Sequence, residues 1–316
     1  MEKFFKLNEH GTNTKTEVTA GITTFLAMAY ILAVNPTMLG DAGMNAQGVF
    51  LATALSAALA TLIMGLFANY PIALASGMGL NAYFAYTICL GELKDMPNAW
   101  QVALTAILVE GIIFILLSLF KFRETLVNKI PANLKYGITA GIGLFITFIG
   151  LQNADIVKAD ASTLVALGDI GTAPVALALI GVVLIAIMMH FKVKGAILWG
   201  ILATWILGIF AQLGGWYVVN PEVGMYSLIP EIKGIGDFLP NFGTLGETAF
   251  KFDFNFMINN VLQFAVIVFA FLFVDLFDTV GTLIGVANKG NLLDKDGALP
   301  RAGRALLSDA IGTVAG

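Results

Sequence analysis

This chain is expected to fold as an all-α protein that crosses a membrane many times. Of its 316 residues, 58% are hydrophobic and only 12% are charged, whereas about 25% of the residues of a typical soluble domain are charged. The hydrophobic residues form stretches of the roughly 20 residues that a helix needs to cross a bilayer core. Most Lys and Arg residues lie between these stretches. Composition and patterning therefore exclude a soluble globular fold.

Eight apolar stretches and the start of a ninth are each predicted to be a membrane-spanning helix. They cover residues 18–39, 48–69, 71–90, 99–120, 132–151, 173–191, 195–213, 258–287 and 302 onward. The polar N-terminal segment shows no short apolar run followed by a small-residue cleavage site. We therefore expect the first helix to target the chain to the membrane without cleavage.

The distribution of positive charge predicts the orientation. Thirteen of the 17 Lys and Arg lie in four segments, 1–17, 121–135, 190–194 and 288–304. Because cytoplasmic loops are enriched in Lys and Arg, these segments are predicted to be cytoplasmic. Eight crossings from a cytoplasmic N-terminus place all four on the same side, provided that 71–90 counts as one crossing. The sequence thus predicts a multi-pass protein of the inner (plasma) membrane.

The third stretch is interrupted by Pro71, Gly77 and Gly79, and Asn81 follows directly. Glycine in a helix interior costs about 1 kcal/mol relative to alanine, and close helix packing through small residues is one explanation. We favour a discontinuous helix, with a short extended piece followed by a half-helix that begins near Gly79. Its free N–H groups would be tolerated at membrane depth only where protein or water covers them. Asn81 would add amide donors and an acceptor there.

Two carboxylates lie near the middle of the eighth stretch, 258–287. A carboxylate at the bilayer centre costs about 2.5–3.5 kcal/mol, so such residues normally face the bundle interior and mark a substrate or proton path. Asp275, Asp278, Thr279 and Thr282 are expected to share one helical face. The structural alternative is a buried acid pair that bonds to backbone groups or to a cation elsewhere in the bundle.

A weak internal repeat indicates a transporter with inverted halves. An offset of 252 residues pairs Leu55, Ser56, Ala58 and Thr61 with Leu307, Ser308, Ala310 and Thr313. The offset spans an odd number of predicted crossings, so the second copy would have the opposite orientation, as in many transporters. The second copy would be incomplete within these 316 residues. We therefore expect the sequence to be part of a longer transporter.

Three segments resemble a known family. They are TFLAMAYILAVNP at 24–36, ASGMGLNAYFAY at 75–86 and FLFVDLFDTVGTLIGVA at 271–287. The segments resemble the AzgA-like purine permeases, which carry adenine, guanine and hypoxanthine and fall within the nucleobase–ascorbate transporter group. The resemblance covers essentially the whole chain, and the acidic motif of the third segment is its most specific part.

The resemblance implies the uracil permease fold, with two inverted repeats of seven segments divided between a core domain and a gate domain. Residues 18–120 and 258–316 would then hold core-domain segments one to four, eight and the start of nine. Gate-domain segments five to seven would occupy 121–213. Residues 1–17 would form a cytoplasmic N-terminus and 214–257 an external loop.

The resemblance also implies a site. It places Gly79 and Asn81 at the third-segment part of the substrate site, Asp275 at the acidic position that contacts the base, and Asp278 at the neighbouring acid, beside Thr279. A family glutamate in segment ten would lie beyond this sequence. The expected activity is purine import by proton symport, with Asp278 and Asp275 involved in coupling and sodium as the less favoured ion. The expected partners are a purine nucleobase and the lipid bilayer, with a homodimer left open and without nucleic acid, metal or other cofactor.

The chemistry of these residues agrees with that expectation. Carboxylates accept hydrogen bonds from the N–H groups of a purine, and the start of a half-helix donates to its ring nitrogens or carbonyl oxygen. Two carboxylates within one helical turn repel each other, and they titrate as a pair. Elsewhere, Glu110 is expected to make a structural contact, and Asp309 is expected near the cytoplasmic end of its helix.

Two other functions are kept as alternatives. An anion transporter of the same fold would carry a dicarboxylate, sulfate or bicarbonate, which paired acids at the site would repel. An intramembrane aspartyl protease also buries two aspartates, but these must face each other from separate helices. The one-turn spacing of Asp275 and Asp278 disfavours the protease.

Overall fold

The computed structural model describes residues 2–5, 7, 11–119, 131–220, 225–230, 234, 240–290, 292 and 299–316. The helices in chain order are α1 (Glu2–Phe5), α2 (Thr14–Met28), α3 (Ile31–Asp41), α4 (Ala46–Ile63), α5 (Met78–Ala82), α6 (Ala99–Leu119), α7 (Ala132–Asn153), α8 (Ala173–His190), α9 (Ala196–Leu213), α10 (Leu245–Thr248), α11 (Phe254–Asn259), α12 (Val261–Lys289) and α13 (Ala302–Ala315). A π-helical segment extends α4 through Met64–Ala68, another extends α5 through Tyr83–Glu92, and a 3₁₀ turn, Phe242–Thr244, precedes α10.

Six helical spans of the described chain are long and apolar enough to cross a membrane. They are Thr14–Asp41, Ala46–Ala68, Ala99–Leu119, Ala173–His190, Ala196–Leu213 and Val261–Ala287. The remaining predicted stretches also contain helix, in the form of α5 with its extension, α7 and α13. The prediction of an all-α polytopic membrane protein is therefore confirmed.

The chain forms two compact units. The first contains residues 1–30 and 147–240, and the second contains residues 31–146 and 241–316. In the first unit, α8 and α9 form a hairpin whose turn uses Lys192 and Gly195, both with positive φ. The hairpin packs closely because a Cβ placed on Gly181 would lie 2.6 Å from the Thr204 hydroxyl of α9. The predicted core and gate boundaries stay predictions.

A short β-hairpin in the first unit is absent from the predictions. Strands β1 (Val157–Asp160) and β2 (Leu164–Leu167) pair antiparallel. The Asp160 carboxylate closes the turn by accepting hydrogen bonds from the backbone N–H groups of Ser162 and Thr163, both at 2.8 Å. These bonds, that from Thr163 first, hold the pKa of the exposed Asp160 carboxyl below its ordinary value.

The second unit holds the acidic helix. Its largest group of buried apolar side chains joins α5 with its extension, α6 and α12, and includes Ile88, Val102, Ile267 and Phe271. A second group places Leu283 of α12 against the π-helical end of α4 and the start of α13. Helix α12 is thus enclosed on one side by α5, α6 and α13, which fixes the direction of its polar face.

The predicted interruption of the third stretch is confirmed. The π-helical end of α4 stops at Asn69, whose φ of 54° is left-handed. Residues 69–77 then run without helix, and α5 begins at Met78 with Gly77 in an extended conformation at its N-cap. The half-helix therefore starts one residue before the predicted Gly79.

The packing of α4 against α13 agrees with the internal repeat. A Cβ placed on Gly312 would lie 3.0 Å from the Cβ of Ala60, and one on Gly316 would lie 3.3 Å from that of Ser56. The two helices therefore run antiparallel. Ala60 and Gly312 are themselves 252 residues apart, so the matching positions of the two copies meet each other. This is the geometry expected where a pseudo-two-fold axis passes between inverted repeats.

Candidate functional site

Helix α12 turns its predicted site residues towards the interior of the second unit. Asp275 and Thr279 are buried, with 8% and 5% of their surface exposed, and Asp278 is partly buried. Thr282 departs from the predicted shared face because it is exposed. A position seven residues along an α-helix is rotated by about 20° from the starting direction, which contributes to this difference.

A third carboxylate reaches the same site from α13. The Thr279 hydroxyl lies 2.9 Å from Oδ2 of Asp309 and 3.3 Å from Oδ1 of Asp275. The Thr313 hydroxyl, one turn beyond Asp309, lies 3.5 Å from Oδ2 of Asp275. The Thr279 hydroxyl therefore links the carboxylates of Asp275 and Asp309, and the Thr313 hydroxyl adds a second contact from α13 to Asp275.

The expected location of Asp309 near the cytoplasmic end of its helix stays a prediction, but its place in the acidic cluster was not predicted. The sequence contains a signal that would have indicated its role. Asp275 and Thr279, Asp278 and Thr282, and Asp309 and Thr313 are all spaced by four residues. Such a spacing places an acid and a hydroxyl on one face of a helix. The motif thus occurs on both helices that form the cluster.

The start of the half-helix lies beside Asp278. A Cβ placed on Gly77 would be only 2.7 Å from Oδ2 of Asp278, a distance that a side chain cannot occupy. Glycine at the N-cap of α5 therefore permits the backbone to approach the carboxylate. The N-terminal end of a helix carries a partial positive charge from its free N–H groups. Backbone donors and a carboxylate acceptor consequently adjoin each other.

Asn81 is buried in a chain of hydrogen bonds that joins three segments. Its side-chain oxygen accepts from the Ser76 hydroxyl at 2.9 Å, and its Nδ2 donates to Oδ1 of Asn35 at 2.6 Å. Nδ2 of Asn35 in turn donates to the Thr53 hydroxyl at 2.7 Å. Asn81 thus holds the start of the half-helix against α3 and α4, and the buried Gly79 lies within the same first turn.

A further buried acid, Glu110, lies on α6. Its surface is fully enclosed, and the next residue, Gly111, lies close to α13. A Cβ placed on Gly111 would be 2.7 Å from Cγ2 of Val314. The interpretation of Glu110 as a structural contact stays a prediction.

The structure brings together most of the residues that the sequence singled out. Asp275, Asp278 and Thr279 lie on one helix, and Gly77 connects them to the half-helix that contains Gly79 and Asn81. The hydroxyl-linked pair of Asp275 and Asp309 was not predicted. Within the described residues, no group of three or more His, Cys, Asp or Glu is arranged to hold a metal ion.

Comparisons with known proteins identify the family of the chain. The sequence profile of the Permease family matches residues 15–316. This chain belongs to that family. It is 46% identical to a putative permease of Methanocaldococcus jannaschii over 316 residues, covering 100% of this chain and 67% of the relative. The adenine permease AdeP of Escherichia coli is 40% identical, with 100% of this chain and 65% of the relative covered.

The guanine/hypoxanthine permease PbuG of Bacillus subtilis is 41% identical over 326 residues, which covers 100% of this chain and 69% of the relative. The family resemblance stated from the sequence is confirmed by these matches. The relatives are permeases rather than enzymes. The chain spans about two thirds of the length of the curated relatives that it matches.

Proposed function

We propose that the complete protein imports purine nucleobases across the plasma membrane by proton symport, with its N-terminus in the cytoplasm. The observation that carries the proposal is the meeting of two kinds of polar group in the second unit. The carboxylates of Asp275 and Asp309 share a hydroxyl contact, and the carboxylate of Asp278 adjoins the half-helix start at Gly77. Adenine and guanine/hypoxanthine permeases among the relatives support the substrate class.

The site offers the groups that a purine requires. Its ring N–H and amino groups need acceptors, which the carboxylates of Asp275 and Asp278 supply. Its ring nitrogens and carbonyl oxygen need donors, which the first turn of α5 supplies around Gly79. Asp275 orients the base in this arrangement, and Asn81 fixes the half-helix that faces it. A small anion lacks the donors that three carboxylates require, so the proposal excludes it as the preferred substrate.

The linked carboxylates also suit a coupling proton. The Thr279 hydroxyl has one hydrogen to donate, yet it contacts carboxylate oxygens of both Asp275 and Asp309. A proton on one of these carboxylates would strengthen the link, because that acid could donate to the hydroxyl oxygen while the hydroxyl donates to the other carboxylate. Asp278, one turn away, adds a like charge that favours binding of a proton by the cluster. The membrane potential would drive proton entry with about 2.3 kcal/mol per charge per 100 mV.

A binding and uptake panel tests this function. The complete gene product is reconstituted in vesicles. Binding and uptake of adenine, guanine, hypoxanthine, xanthine and uracil are then measured at pH 6 and at pH 8. We expect at least one purine to bind and to enter the vesicles faster when the outside is acidic. Competition by sulfate, bicarbonate or a dicarboxylate, without competition by any purine, would contradict the proposal and favour the anion transporter.

A further inference from the structure

The side chain of Thr61 makes an unusual contact with the extended piece of the third stretch. Thr61 lies near the end of α4, and its hydroxyl donates to the backbone oxygen of Leu74 at 3.0 Å. The backbone N–H of Leu74 donates to the same hydroxyl oxygen at 2.9 Å. One side chain therefore satisfies both backbone groups of a residue that lies outside any helix.

Such a contact matters inside a membrane. Backbone groups that are not paired within a helix must be satisfied by protein or by water in a cavity. A hydroxyl can donate one hydrogen bond and accept two, so a single threonine is sufficient for Leu74. A valine of the same shape would leave both groups without a partner, and the segment would have to shift to satisfy them.

The position of Leu74 determines the position of the site. Gly77 follows three residues later, and a Cβ on Gly77 would lie 2.7 Å from Oδ2 of Asp278. The intervening Ser76 bonds to Asn81 at 2.9 Å. Only Ala75 and Ser76 separate Leu74 from Gly77, and Ser76 is itself held by Asn81, so we expect a displacement at Leu74 to move the half-helix start relative to Asp278. We propose that Thr61 is a positioning residue that sets the distance between the donors of the half-helix and the carboxylates of α12.

The internal repeat supplies a second, independent observation. Thr313 is the residue that the offset of 252 pairs with Thr61. Its hydroxyl lies 3.5 Å from Oδ2 of Asp275. Equivalent threonines of the two copies thus each contact one element of the same site. A role confined to the folding of α4 gives no reason for this correspondence.

The inference deepens the proposed function. Its uptake experiment rests on that function, because it measures transport of a purine. Thr61→Val and Thr61→Ser are compared with the wild type in the complete gene product. Thr204→Val is the matched control, because among the described residues the Thr204 hydroxyl bonds only to a carbonyl of its own helix, that of Gly200 at 2.8 Å. We expect Thr61→Val to raise the KM for the transported purine at least about fivefold. Thr61→Ser and Thr204→Val should stay within about twofold of the wild type.

Two outcomes of the uptake assay would overturn the inference. One is an unchanged KM for Thr61→Val, and the other is a reduced maximal rate with the KM and the order of competing purines unchanged. The second outcome is the one that a loss of folded protein would produce. If Thr61→Val does not reach the membrane, Thr61→Ala is measured instead, with the same expected rise in KM.

Hydrogen exchange of the peptide that contains residues 69–77 separates this inference from the proposed function. We expect Thr61→Val to increase exchange in this peptide, whereas Thr61→Ser and Thr204→Val leave it unchanged. A wild-type protein that transports no purine would contradict the proposed function. In that case the exchange experiment would still test whether Thr61 holds residues 69–77 in place. Equal exchange in the wild type and Thr61→Val would overturn that role.

Discussion

The third stretch and helix α12 contribute to one site in opposite ways. Helix α12 is continuous over 29 residues, so its backbone groups bond to one another and its polarity comes from side chains. The third stretch is broken over residues 69–77, and there the polarity comes from the backbone itself. A membrane protein can therefore obtain acceptors from acids on a regular helix and donors from a neighbouring helix start. A purine, which has both donors and acceptors on its rim, requires the two together.

The largest expected effect comes from removing an acceptor on α12. Asp275→Asn keeps the shape of the side chain but replaces one carboxylate oxygen by a donor. A hydrogen bond to a charged group contributes about 1.5–3 kcal/mol, which corresponds to about 10- to 150-fold in affinity. We expect purine uptake, measured as kcat/KM with labelled substrate, to fall about 100-fold.

Asp169→Asn is the matched control, because the Asp169 carboxylate is exposed and accepts from the backbone N–H of Gly171 within the same loop. It should transport at the wild-type rate. Wild-type transport by Asp275→Asn would show that α12 does not supply the acceptor. That result would contradict the division of donors and acceptors between the third stretch and α12.

The next effect comes from the contact between the two elements. Gly77→Ala places a methyl group 2.7 Å from Oδ2 of Asp278, and such overpacking costs about 1–3 kcal/mol. We expect the KM for the purine to rise about tenfold. Gly65→Ala is the control, since a Cβ at Gly65 meets nothing within 4 Å. Equal KM values for the two variants would mean that the half-helix start does not adjoin the bound substrate.

How far the sequence predicted these elements depends on whether the signal was local. The break around Pro71 and the burial of Asp275 follow from residues within one stretch, because glycine, proline and intramembrane acids have strong local consequences. The four-residue spacing of Asp309 and Thr313 indicates a polar face on α13, but that spacing does not show that this face packs against α12. The bond between Asn81 and Asn35 likewise joins residues 46 positions apart.

The β-hairpin shows the same limit in a loop. Val157 and Leu164 begin two strands of only four residues each, which are too short for a clear alternation of polar and apolar residues. Their pairing depends on the turn that Asp160 closes. An Asp that accepts from the backbone two and three residues later indicates a turn, but it does not indicate that the flanking residues pair as strands.

A smaller effect is expected for the buried asparagines that hold the half-helix. Asn35→Ala removes the partner of Asn81 Nδ2 and of the Thr53 hydroxyl. Leaving such groups unsatisfied costs about 1–3 kcal/mol, so the purified protein should melt several degrees lower. Thr37 lies on the same helix, and within the part of the chain that the structure describes its hydroxyl bonds only to the carbonyl of Ala33, so Thr37→Ala should melt within about one degree of the wild type. Equal melting of both variants would contradict a structural role for the network.

The smallest effect is expected in the first unit. Because the folded-state pKa of Asp160 lies below its ordinary value, its contribution to the hairpin is present above about pH 4 and is lost as the pH falls further. Asp160→Ala should lower the protection of residues 157–167 from hydrogen exchange at neutral pH. It should also remove the loss of protection that the wild type shows as the pH falls below about 4. Purine uptake should be unchanged, and a loss of uptake would indicate that the hairpin participates in transport.

Proton movement during uptake tests the central proposal most directly. Proteoliposomes that contain the complete gene product are placed in weakly buffered medium, and a transported purine is added outside. We predict that the external medium becomes more alkaline in proportion to purine uptake, and that Asp275→Asn abolishes both signals while Asp169→Asn preserves them. Purine uptake without any change in external pH would contradict a coupling proton held by the carboxylate cluster.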